Sequence, residues 1–90
     1  MSTDVFRGQS ALQFAASSLV KNRPGRIYKL HVQAAVTGSI TVYDNTAASG
    51  QIVYVSPAGP VIGQSFELDI PCRTGIYLSF ASGTVTVVFT

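Results

Sequence analysis

The chain has 90 residues, of which 47% are hydrophobic and only 11% charged, with a net charge of +2. That length encloses a single core, and a charged share well under the usual ~25% excludes a freely solvated, ion-rich surface. Cys72 is the only cysteine and His31 the only histidine, which excludes an intrachain disulfide and a one-chain structural zinc site. Oligomerisation is the remaining way to support so small a core. The net charge is too small to argue for nucleic acid by itself.

Residues 1–10 are polar around Gly8 and read as a flexible N-terminal arm. Met1 to Asp4 lack the basic stretch and apolar core of a signal peptide, and no run approaches the roughly 18 apolar residues of a membrane helix, so a soluble cytoplasmic product is expected. Residues 11–20 fit a strand through Leu12, Phe14, Ala16, Ser18 and Val20, and also a helical stripe through Leu12, Ala15, Ala16 and Leu19. No charged residue is present to solvate a helix's outer face, which favours the strand.

Asn22-Arg23-Pro24-Gly25 predicts a type II turn, with Pro24 setting the first central dihedral and Gly25 supplying the positive φ. A long strand follows, with Tyr28, Leu30, Val32, Ala34 and Val36 on one face and Lys29, His31 and Gln33 on the other. Thr37-Gly38-Ser39 turns the chain into Ile40–Asp44, a hairpin signal. Asp44–Gly50 is a loop of small residues whose Asp and Asn side chains bond locally to backbone donors. Gln51–Ser56 is a strand, and Pro57 and Pro60 mark a loop or sheet edge.

The remaining chain carries the clearest period of two. Phe66-Leu68-Ile70, Ile76-Leu78-Phe80 and Val85-Val87-Phe89 alternate with wetter positions, and Ser82-Gly83 turns the chain between the last two runs. The expectation is an all-β domain over residues 11–90, an antiparallel β-sandwich or jelly roll of about seven or eight short strands.

No catalytic set stands out. Glu67 and Asp69 lie two apart on a polar strand face, which reads as solvated rather than as an acid–base pair. His31, Ser39 and Asp44 contain the residue types of a triad, but no strained nucleophile turn accompanies them. Cys72 beside Arg73 could have a lowered thiol pKa, and a small residue tucked at a strand end is the favoured reading. The four carboxylates form no calcium loop. A non-enzymatic protein with no cofactor and no metal is expected.

Two binding features remain. Lys21, Arg23, Arg26 and Lys29 lie within one short stretch and suit an acidic protein partner or phosphates, against the plainer reading of a solvated turn. Tyr43, Val53, Val55, Tyr77 and Val88 break the simple alternation by standing opposite the main apolar set of their strands, or in strands apolar on both sides. Those five are the interface candidates.

The stretch from Arg26-Ile27-Tyr28 through Val42-Tyr43-Asp44-Asn45-Thr46-Ala47-Ala48-Ser49-Gly50, with Ile70-Pro71-Cys72-Arg73-Thr74-Gly75-Ile76-Tyr77 and a closing Gly83–Val87 strand, resembles small β-rich virion proteins of tailed bacteriophages. These segments are turn and strand grammar rather than chemistry. The resemblance implies a structural protein of the virion, a jelly-roll capsid decoration (cement) protein that is made in the host cytoplasm, trimerises and binds the major capsid protein on the particle surface. It implies no membrane and no specific nucleic-acid partner. The alternative is a carbohydrate-binding, host-adhesion module in which Tyr28, Tyr43, Tyr54 or Tyr77 stacks on a sugar, or a head–tail connector component.

Overall fold

The structure is a computed structural model and describes residues 10–90, so the N-terminal arm expected over residues 1–10 lies, but for Ser10, outside the described residues. Eight strands form: β1 (Ser10–Phe14), β2 (Ser18–Lys21), β3 (Gly25–Ala34), β4 (Thr41–Asp44), β5 (Gln51–Val55), β6 (Ser65–Cys72), β7 (Ile76–Ser79) and β8 (Thr84–Phe89). They build two four-stranded sheets, ordered β1-β8-β3-β6 and β2-β7-β4-β5, and every ladder is antiparallel. First pairs with last, second with seventh, third with sixth and fourth with fifth. That is one long hairpin rolled into a sandwich, the jelly-roll arrangement.

The core comes from the period-two runs. Ile76, Leu78 and Phe80 face Val85, Val87 and Phe89 together with Ile27, Leu30, Val32, Val36, Ile40, Val42 and Cys72, all buried in one cluster. Phe66, Leu68 and Ile70 of β6 pack against it from the sheet edge. Ser56 is the one buried polar residue among those described. Its hydroxyl accepts from Ile40 N at 2.8 Å and donates to the Pro57 carbonyl at 3.0 Å, so burial leaves nothing unpaired.

Four local expectations are corrected. Residues 11–20 do not form one strand: the chain leaves the first sheet after Phe14 and enters the second at Ser18. At the crossing Ser17 Oγ accepts from Phe80 N and donates to Phe80 O, both at 3.0 Å, standing in for a backbone pair. Thr37–Ser39 does not close a hairpin, because β3 and β4 lie in different sheets; only the β4–β5 connection stays within a sheet. Turn residues encode a reversal, but the sheet that receives the next strand is decided by where its apolar face finds cover.

The face assignment along β3 also changes. An extra residue relative to β8 lies between Ile27 and Lys29, so Ile27 and Leu30 are both fully buried while Tyr28 is half-buried. A bulge of this kind resets the alternation that a strict period of two assumes. Finally, Gly25 does not have a positive φ. It opens β3, where a Cβ would collide with the Thr90 carbonyl oxygen, and the Arg26 and Thr90 backbones exchange hydrogen bonds of 3.3 and 2.9 Å. Glycine is needed there for space.

Candidate interaction surface

The two outer faces of the sandwich differ in chemistry. On the β1-β8-β3-β6 sheet, cross-strand neighbours run Ala11–Val88–Lys29–Glu67 and Gln13–Thr86–His31–Ser65. Lys29 Nζ lies 3.7 Å from Glu67 Oε2, and Arg26 Nη1 lies 2.9 Å from Asp69 Oδ1. His31 Nδ1 and Ser65 Oγ share a hydrogen bond of 2.7 Å, and Gln13 donates across the sheet to Gln33. This face is polar and internally paired, and its exposed ion pairs add at most about 1 kcal/mol each.

The β2-β7-β4-β5 sheet presents the opposite. Leu19 pairs with Tyr77, Tyr77 with Tyr43, and Tyr43 with Ile52, one from each strand. These four side chains form a single row across the sheet, spanning roughly three interstrand spacings of about 4.8 Å. Leu19 and Ile52 are 42% and 50% exposed. Between them the two tyrosine rings meet edge to face, with centroids 6.5 Å apart and planes at 66°. Beside the row Thr41 lies between Ser79 and Val55, the latter 51% exposed. The row holds no charge.

Of the five predicted interface residues, the fold brings Tyr43, Tyr77 and Val55 together on this face. Val88 lies on the other sheet, between Ala11 and Lys29. Val53 packs against the core, because the register of β5 shifts between the partners of Val42 and Tyr43 and turns it inward. Leu19 and Ile52 are not among those five, although they complete the row. Each sits in a short strand whose facing depends on a bulge, so alternation alone gives no signal.

The basic cluster does not act as one patch. Arg26 and Lys29 meet Asp69 and Glu67. Lys21 and Arg23 line an open groove of about 440 Å³ with Ser10, Leu19, Val20, Asn22, Phe89 and Thr90. Nor do the triad residue types converge: His31 partners Ser65 on one sheet, while Asp44 ends β4 on the other. No group of three metal-ligating side chains occurs among the described residues. Tyr54 tilts against Phe66 at 6.1 Å and packs on the core, where burial raises its hydroxyl pKa.

Asp44 has a long-range role instead of the expected local one. Its carboxylate accepts backbone N–H bonds from Thr74 at 2.8 Å, Arg73 at 3.0 Å and Gly75 at 3.4 Å. Burial works against its ionised form, but those three donors and the Arg73 charge outweigh it and hold the carboxyl below its ordinary pKa. The local bonding belongs to Asn45, whose Oδ1 accepts from Thr46 N and whose amide donates to Ser49 O.

Cys72 is buried, and burial, together with the Asp44 charge, pushes its thiol pKa up to about 11. A thiol kept protonated and covered is inert. Ellman's reagent at pH 8 is expected to leave Cys72 untouched in the folded protein and to titrate one thiol per chain once denaturant is added. Rapid labelling of the native protein would contradict the buried placement.

No protein-family model, curated protein or solved structure significantly matches this chain.

Proposed function

We propose that this protein is a non-enzymatic structural component of a tailed-phage particle, a decoration protein that lays the outer face of its β2-β7-β4-β5 sheet on neighbouring capsid subunits. The observation that carries the reading is the uncharged row Leu19–Tyr77–Tyr43–Ile52, opposite a sheet face that is already ion-paired. A shape-complementary partner gains about 25 cal/mol for each Å² of apolar area it covers, and rigid tyrosines are strong anchors at low entropic cost. Many copies on a lattice then add by avidity. The resemblance of residues 26–90 to phage virion proteins supplies the particle.

The edge-to-face tyrosine geometry supports a protein contact over a sugar platform, since the two rings do not lie in one plane for a pyranose to stack on. The test uses empty heads of the phage whose genome carries the gene. Wild-type protein is expected to co-sediment with the heads. Leu19→Lys and Ile52→Lys, at half-exposed positions, are expected to weaken binding at least tenfold, about 1.4 kcal/mol, with unchanged thermal unfolding. Wild-type protein left in the supernatant, or lysine variants that sediment equally well, would overturn the reading.

A further inference from the structure

Among the described residues the two open sheets have four edges, β1, β6, β2 and β5. Three are interrupted. The register of β2 shifts between Leu19 and Lys21, that of β5 shifts beside Val53, and β6 carries a bulge at Asp69, whose φ of 55° is left-handed, followed by Pro71. These are the devices by which natural sheets prevent edge-to-edge pairing. β1 has none of them. Ser10–Phe14 pairs with β8 residue for residue, without a shift, and contains no charge, proline or glycine.

We infer that β1 is a strand-addition site for a second copy of this chain, pairing antiparallel with the partner's β1 about a two-fold axis through Leu12. This surface is separate from the particle-docking face and does not depend on that reading. Three observations select a second copy. The first is backbone direction. Arg26 and Thr90 exchange hydrogen bonds, and bonding direction alternates along β8, so Phe89, Val87 and Val85 turn toward β1. Their partners Ser10, Leu12 and Phe14 turn back toward β8. The N–H and C=O groups of Ala11 and Gln13 are therefore the ones aimed outward.

The second is self-complementarity. With the axis at Leu12, Ala11 of one copy stands opposite Gln13 of the other, and these outward-aimed residues form the hydrogen-bonded pairs an isologous contact requires. Leu12 then meets its own counterpart in the closer, non-hydrogen-bonded position. The third is exposure: Leu12 is next to buried Val87 on the core-side face of the sheet, yet is 48% exposed. In the two-fold pairing a symmetry-related Leu12 is the neighbour that covers the exposed half.

The experiment is light scattering of the full chain at micromolar concentration, with amide exchange at Ala11 and Gln13. Wild-type protein is expected to have twice the 9.5 kDa mass of one chain, and the two amides to exchange more slowly as concentration rises. Ala11→Pro deletes an outward N–H without touching the bonds to β8 and is expected to halve the mass while the β-sheet spectrum persists. Leu12→Lys, at a half-exposed site, is expected to do the same and decides the matter if the proline variant fails to fold. A monomeric wild type overturns the inference, as does the trimer that the phage resemblance implies. So does a folded Ala11→Pro or Leu12→Lys protein of unchanged mass.

Discussion

Leu30→Ala is expected to destabilise the fold by about 2–5 kcal/mol. Leu30 is fully buried at the centre of β3, with Val87 on one side and Phe66 on the other. Both neighbours are fixed by their own ladders and cannot collapse into the space left behind, so the cavity cost adds to the lost transfer energy. At roughly 0.05–0.15 kcal/mol per residue, a domain of this length has a total stability of only about 5–13 kcal/mol. Urea unfolding should therefore show a large fall in midpoint at constant slope. Ile62→Ala is the matched control: Ile62 is 70% exposed, and truncating it should change stability by no more than about 0.5 kcal/mol. Equal shifts for the two variants would contradict the placement of the core.

Asp44→Ala is expected to cost about 1–3 kcal/mol and to do so in a pH-dependent way. The substitution leaves the N–H groups of Arg73, Thr74 and Gly75 without their acceptor, although water reaches the exposed pair and limits the loss. The folded-state pKa of Asp44 lies below the ordinary value of 3.8. A carboxylate with a depressed folded pKa contributes stability that is complete above its unfolded pKa and is lost as pH falls through the folded one. The gap between wild type and Asp44→Ala should thus be full at neutral pH, hold down to about pH 4 and close in stronger acid. Asp44→Asn, which keeps one acceptor oxygen, should fall between them without that acid dependence. A gap independent of pH would mean the charge of Asp44 does not matter to the fold.

Asp44 also ties together two segments that lie far apart in the sequence. Asp44–Gly50 ends one strand and begins a loop, and Arg73–Gly75 begins another turn, yet in the fold the first supplies the acceptor and the second the donors of one hydrogen-bonded cluster. From the chain alone, an Asp before Asn-Thr suggests a local turn, because local partners are the only ones a linear reading contains. Asn45 fits that reading. For Asp44 the partners arrive only when β4 and β7 pair, with Tyr43 opposite Tyr77.

The row across the β2-β7-β4-β5 sheet was legible in part for the same reason. Tyr43 and Tyr77 stand out because each is a large ring opposite the apolar side of a regular strand. Leu19 and Ile52 do not, since both sit beside a register shift in an edge strand. Val53 reads as an outward residue until the bulge in β5 turns it to the core. Where pairing is regular, alternation predicts burial residue by residue, as along Val85–Phe89. Where one strand carries an extra residue, every later position changes sides.

By itself, then, the amino-acid order determined the all-β class and the core strands of the second half, since composition and a period of two are local properties. Tertiary structure alone decided that β3 and β4 part into different sheets, that Ile27 joins the core, that the basic cluster divides into ion pairs and a groove, and that four side chains from four strands share one row. Such facts depend on strand order and register, which are set by which apolar faces cover one another over long sequence separations.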